Sequence, residues 1–116
     1  EIVKSFFERQ IEFLSQYGEQ QIILDPGIGF NKSMKSNFEL LNNINEYRVN
    51  NLPVLIGISR KSMIYKTLKI TSQEALNGTT VLNTIALIKG ADILRVHDVK
   101  EAVEAVKLVN ELRAKN

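Results

Sequence analysis

Apolar positions along the chain fall into two alternating patterns, helical stripes and short unbroken runs. Residues 1–17 place Val3, Phe7, Ile11, Leu14 and Tyr17 at helical spacing, with Gly18 as the stop. Residues 21–25 form an apolar run closed by Pro26-Gly27, which predicts a strand ending in a turn. A loop over 28–35 follows, in which Lys32 and Lys35 read as solvated. Ser36-Asn37-Phe38-Glu39 has capping-box spacing and predicts a helix lined by Phe38, Leu41, Ile44 and Tyr47. The pattern then recurs. Residues 53–58 are a second buried run, followed by Ser59-Arg60-Lys61-Ser62, a helical turn over 63–68 and a further capping box, Thr71-Ser72-Gln73-Glu74. The helix behind that box carries Leu76, Leu82, Ile85, Ala86 and Ile88 and stops at Gly90. Gly78 inside it implies close packing against a neighbour. Residues 91–96 make the third run and lead into His97-Asp98, where Asp98 with Glu101 is an acidic version of the cap. The last helix shows Val99, Ala102, Val103, Val106, Val109 and Leu112.

The resulting order is α-β-α-β-(α)α-β-α. Continuous apolar strands alternating with capped helices predict an α/β fold with three parallel strands covered by helices. Asp25 to Lys61 and Lys61 to His97 are each 36 residues, the size of one βα unit, with no repeated sequence to suggest duplication. Such a set fits either a small open sheet or a slice of a (β/α)₈ barrel, which needs about 250 residues. The slice is the better expectation, because the chain starts in mid-element and lacks a first strand, although it leaves strand edges unpaired.

Composition adds mainly exclusions. Of the 116 residues, 44% are apolar and 24% charged, which suits a packed core and argues against wholesale disorder. Fifteen Lys and Arg against thirteen Asp and Glu leave +2, too even to propose nucleic acid or a membrane surface as partner. No apolar run reaches the ~18 residues of a membrane span. The chain has no cysteine and one histidine, so a thiol nucleophile is excluded and a dedicated zinc site is a poor reading. A cytoplasmic setting is compatible with this. Dinucleotide, Walker and nucleophile-elbow motifs are missing.

In parallel α/β folds the ligand site lies at the carboxyl ends of the strands. The unusual polar residues all fall there: Asp25 after the first run, Ser59-Arg60-Lys61-Ser62 after the second, Arg95 and His97 at the end of the third. Asp25 reads either as an acceptor for its own Asp-Pro-Gly turn or as a carboxylate offering two oxygens to an amidine-like N–H pair. The Arg60-Lys61 pair is either a solvated basic turn or, beside a helix start, an anion site. Arg95 and His97 are two apart and share a strand face, with Leu94 and Val96 on the other, which favours paired anion binding. Asp98 is most simply the helix cap. Phe30 either closes the core or stacks on a ligand.

Taken together, Leu24-Asp25-Pro26-Gly27-Ile28-Gly29-Phe30, Gly57-Ile58-Ser59-Arg60-Lys61-Ser62 and Arg95-Val96-His97-Asp98-Val99 closely resemble the dihydropteroate synthases in order and spacing. Asn31 stands where many members have a small residue. The resemblance implies the C-terminal part of a TIM (β/α)₈ barrel, with residues 1–116 a partial pterin-binding domain incomplete at its N-terminus. It also implies an activity, the joining of 4-aminobenzoate to a dihydropterin methylene diphosphate with release of diphosphate, in folate synthesis. By resemblance Asp25 and Lys61 bind the pterin, while Arg95, Val96 and His97 hold the diphosphate. Phe30, Ser59, Arg60 and Ser62 face the aminobenzoate. Lys61, Arg95 and His97 count as catalytic. Magnesium is implied with the diphosphate, its positioning Asn lying outside this chain; a homodimeric parent enzyme is implied as well. The alternatives are a pterin-dependent methyltransferase, disfavoured because methyl transfer has no diphosphate to hold, and a truncated half-barrel without catalysis. Because the earlier strands carry the rest of the pocket, the isolated chain is expected to be nearly inactive.

Overall fold

The computed structural model describes residues 2–18, 21–30 and 33–114; Asn31 and Lys32, singled out above, lie outside them. Six α-helices and two short strands follow in the order α1 (Ile2–Ser15), α2 (Met34–Asn42), α3 (Ile44–Tyr47), β1 (Leu55–Ile56), α4 (Ser62–Leu68), α5 (Leu76–Lys89), β2 (Ile93–Leu94) and α6 (Val99–Ala114). A single 3₁₀ turn, Ser72–Glu74, precedes α5. β1 and β2 pair in parallel with Leu55 opposite Ile93 and Ile56 opposite Leu94.

The expected first strand is reduced to one parallel bridge, Leu24 to Val54, closed by Leu24 N–H donating to the Pro53 carbonyl and Leu55 N–H to the Leu24 carbonyl, both at 2.8 Å. Two strands and a bridge therefore replace three full strands. Among the described residues the Leu24 segment has a neighbour along one side only, and a segment without a second ladder needs fewer of its residues held in register. The order across the sheet is nevertheless the expected one, with β1 in the middle.

Side chains alternate across this sheet as a period of two demands. Leu24, Val54, Ile56 and Ile58 are buried under the helices with Ile28, Leu41, Ile44, Tyr47, Met63 and Ile64. The opposite face carries Ile23, 53% exposed, with Asp25 and Arg95, which pair across it, and among the described residues no helix covers it. The molecule is thus a slab, 45 × 37 × 21 Å, with a radius of gyration of 15.1 Å, against about 13 Å for a compact domain of this length.

Several local expectations change. The cap of α2 is Ser33, whose hydroxyl accepts from Ser36 N–H at 3.1 Å, so the helix starts before the Ser36 box. The helix also breaks at Asn43 into α2 and α3. By contrast, the Thr71–Glu74 box forms, on the 3₁₀ turn. Helix α5 buries Thr79, Asn83, Ala86 and Leu87 while Ile85 and Ile88 are exposed; Tyr17, Val99, Val103 and Leu112 are also exposed, which leaves Ala102, Ala105 and Val109 as the buried stripe of α6. A Cβ on Gly78 would lie 2.5 Å from Ile64 Cγ2, which explains the glycine in α5: helix α4 crosses there. At the amino end of the strands Arg48 reaches Asp92 at 2.8 Å and the carbonyls of Leu52 and Gly90, and Asp92 also accepts from Val54 N–H at 2.9 Å.

Candidate functional site

The carboxyl ends of the Leu24 segment, β1 and β2 open onto one rim. Asp25 accepts from its own turn as the Asp-Pro-Gly reading expects, one carboxylate oxygen taking Gly27 N–H at 2.9 Å, and its other oxygen pairs with Arg95 Nη1 at 3.2 Å. That pair spans the middle strand. It can do so because position 57 is glycine; a Cβ there would stand 2.6 Å from Arg95 Nη2. The Arg95 guanidinium therefore lies across the uncovered face, half exposed, with its backbone N–H held by the Ile56 carbonyl at 3.0 Å.

Lys61 comes from the middle strand's loop and turns towards the first. Its ammonium donates to the Ile28 carbonyl and sits 4.8 Å from the centroid of the Phe30 ring, a cation–π contact on an exposed aromatic. Gly29, at φ +90, leaves room for the lysine stem, because a Cβ there would come within 2.8 Å of Lys61 Cδ. The loop is held from behind by Asn37, buried in α2, whose side-chain oxygen accepts from Gly29 N–H at 2.9 Å.

On the other side, the buried Ser59 hydroxyl accepts from His97 N–H at 3.1 Å, leaving the imidazole exposed at the rim. Arg60 turns away from the rim. Its Nε and Nη2 make a two-pronged pair with Asp98, each at 2.9 Å, and its Nη1 donates to the carbonyls of Ser72 and Gln73. Asp98 stands at the expected cap position, its carbonyl accepting from Ala102 N–H at 3.2 Å, and in addition serves Arg60 with both carboxylate oxygens. Ser62 opens α4 behind Lys61.

The structure therefore brings Asp25 and Arg95 together, groups Lys61 with Phe30, and ties Ser59 and Arg60 to residues 97–98. Nothing in the sequence signals the roles of Asn37 and Thr79, Asn37 lying within an apparent capping box, and Gly57 shows there only as part of a matched segment, not as the space for Arg95. Among the described residues no group of three or more His, Asp or Glu side chains could hold a metal ion. Nor is any helix among them long and apolar enough to cross a membrane.

The family model described as pterin binding enzyme matches residues 1–97. The chain belongs to the pterin-binding enzymes. Within that family it is 44% identical over 109 residues to the dihydropteroate synthase of Escherichia coli K12, a match covering 92% of this chain and 39% of that protein. It superposes on a Yersinia pestis dihydropteroate synthase solved with a sulfonamide drug at a TM-score of 0.93 and 39% identity, covering 98% of this chain and 42% of that one. A Coxiella burnetii dihydropteroate synthase in complex with pteroic acid matches at a TM-score of 0.90 and 37% identity, over 98% and 43%. This member of the pterin-binding enzymes thus spans about two fifths of the length of those relatives.

Ionisation follows the contacts. Hydrogen bonding from Arg60 holds the Asp98 carboxyl below its ordinary range, and the Thr71 N–H and hydroxyl do the same for Glu74. Burial opposes charge on Asp92, yet Arg48 and the Val54 N–H outweigh it and lower that carboxyl too. All three bind protons more weakly folded than unfolded, so their stabilisation is complete above about pH 5 and is lost as the pH falls through their lower native values. The urea midpoint of the chain should fall steeply below about pH 4, and Asp98→Asn should flatten that slope. An unchanged slope in that variant would show that Asp98 carries none of the acid sensitivity.

Proposed function

We propose that the chain forms the C-terminal part of a dihydropteroate synthase (β/α)₈ barrel, its last three strand units, and carries the end of the site where diphosphate leaves. Residues 1–116 are on this reading a partial pterin-binding domain whose preceding strands complete both the sheet and the pocket. The observation that carries it is the Asp25–Gly57–Arg95 arrangement, an acid and a cation laid across three parallel segments on a face no helix covers. In a closed barrel that face is the interior.

In the reaction the amine nitrogen of 4-aminobenzoate bonds to the pterin methylene carbon, the carbon–oxygen bond to diphosphate breaks, and the nitrogen gives up a proton. Asp25 accepts from the amino-pyrimidine N–H pair, which suits a carboxylate as a guanidinium does. Lys61 bonds the other polar edge of the pterin. Arg95 and His97, with Val96 between them, receive the diphosphate, and their positive or donor groups are worth most as its charge grows. Phe30 lies beside the aminobenzoate ring and the Ser62 hydroxyl takes its carboxylate, while Ser59 and Arg60 border that subsite from their inter-loop contacts. The described residues do not by themselves offer a group that could hold a magnesium ion. Exposed Ile85, Ile88, Val103, Leu108 and Leu112 supply apolar surface for a homodimer, and a cysteine-free chain suits the cytoplasm.

The test is a restored barrel, made by joining the chain to the portion of the Escherichia coli relative that it does not cover. The fusion should form dihydropteroate and be inhibited by added diphosphate, and the chain alone should show almost no turnover. A folded fusion without turnover, or undiminished rates from the isolated chain, would refute the reading.

A further inference from the structure

We infer that Arg60 is a positioning residue that locks the loop after β1 to the loop after β2, and that it touches neither substrate. The inference rests on the proposed function for what the lock serves, but the lock itself is geometric.

Every part of Arg60 is committed to the protein. Its backbone N–H donates to the hydroxyl of Thr79, itself buried in α5, at 3.0 Å. Its guanidinium divides between two places, the forked pair with Asp98 at the start of α6 and the Ser72 and Gln73 carbonyls of the 3₁₀ turn at 2.9 and 2.8 Å. Four donor bonds from one planar group to four oxygens on three residues leave one of its five N–H groups for a ligand. The backbone confirms the commitment: Arg60 sits at φ +54, a conformation costly for a residue with a Cβ, which persists only where the surroundings over-determine it. Asp98 responds in kind, its carboxyl lowered chiefly by this hydrogen bond.

The consequence lies one residue away on each side. Lys61 and Ser62 follow Arg60; His97 precedes Asp98. A second rung, His97 N–H to Ser59 Oγ, runs beside the first. The two rungs tie residues 59–60 to 97–98, so the lysine bound for the pterin and the imidazole bound for the diphosphate are held in one register although they belong to different strands. A lysine could not replace this arginine, because an ammonium is a point donor without the planar fork.

The restored barrel carrying Arg60→Ala, Asp98→Asn, both together, or Arg60→Lys gives the test, assayed with 4-aminobenzoate and with aniline, which lacks the carboxylate. Activity of the unsubstituted barrel reports on the functional reading separately. Each single change should lower kcat/KM about 10- to 100-fold, by the same factor for both amines, as expected when reacting groups are misplaced by about an ångström. The double variant should fall no further than the singles, and Arg60→Lys should regain thermal stability without regaining the rate. Loss confined to 4-aminobenzoate, with Asp98→Asn at the unsubstituted rate, would make Arg60 a substrate contact and overturn the inference. Amide exchange in the unfused chain decides the geometry without turnover: Arg60→Ala should speed exchange at the His97 N–H selectively, and protection equal to the unsubstituted chain overturns the lock.

Discussion

Replacing Arg95 by alanine is expected to reduce kcat of the restored barrel by about 10²–10³-fold, the scale seen when one preorganised donor to a developing anion is removed. Arg95 is aimed by three features at once. Its backbone is bonded to Ile56, its guanidinium rests over Gly57, and Asp25 anchors the far end. On the proposed function the cation is thereby in place before the carbon–oxygen bond weakens. On that reading a pterin takes over Asp25, and the backbone bond to Ile56 and the space over Gly57 then keep the guanidinium on the same face. Arg95→Lys should recover only part of the loss, since a single ammonium cannot span the middle strand as a planar fork does. Gly57→Ala should reproduce a milder version, because its methyl group would intrude on the guanidinium. Steady-state kinetics with varied pterin diphosphate decide the matter: a rise in KM at constant kcat would mean that Arg95 binds ground and transition states equally and does not act on the leaving group.

The second large effect is structural. Ile56→Ala should destabilise the chain by about 2–5 kcal/mol, a substantial share of the roughly 5–15 kcal/mol that holds a domain together. Ile56 is fully buried on the middle strand, paired with Leu94 and packed into the larger of the two cores. It cannot be replaced by water or by a shifted neighbour, because both flanking segments are hydrogen-bonded to the same strand. Ile23→Ala is the control: the same atoms removed from the uncovered face, at 53% exposure, should change the unfolding free energy read from a urea titration by about 0.5 kcal/mol or less. Equal losses at the two positions would mean that the faces of the sheet had been assigned wrongly.

Much of the architecture was legible because it depends on local chemistry. The Thr71–Glu74 box, the stop at Gly90 and the crowding at Gly78 follow from turn and cap preferences that operate within a few residues. The cap of α2 was misplaced for an instructive reason. Ser33 and Ser36 are both good capping residues, and what separates them is Asn37, which is drawn to Gly29 eight residues earlier and so must already lie inside the helix. The buried stripes of α5 and α6 were likewise misjudged at Ile85, Ile88, Val99 and Val103, since periodicity shows that a helix has an apolar side but cannot say how much of that side a neighbour covers.

The sequence alone determined that an acid, an Arg-Lys pair and a histidine sit at strand ends, because strand period, helix caps and turn residues are all short-range properties. Only the tertiary structure decided which of them meet. Asp25 finds Arg95 seventy residues away and Arg60 finds Asp98 thirty-eight away. Those pairings depend on strand order, on register and on a bare glycine between them. Contacts of that kind are selected by how whole segments stack, a choice that no window of neighbouring residues contains.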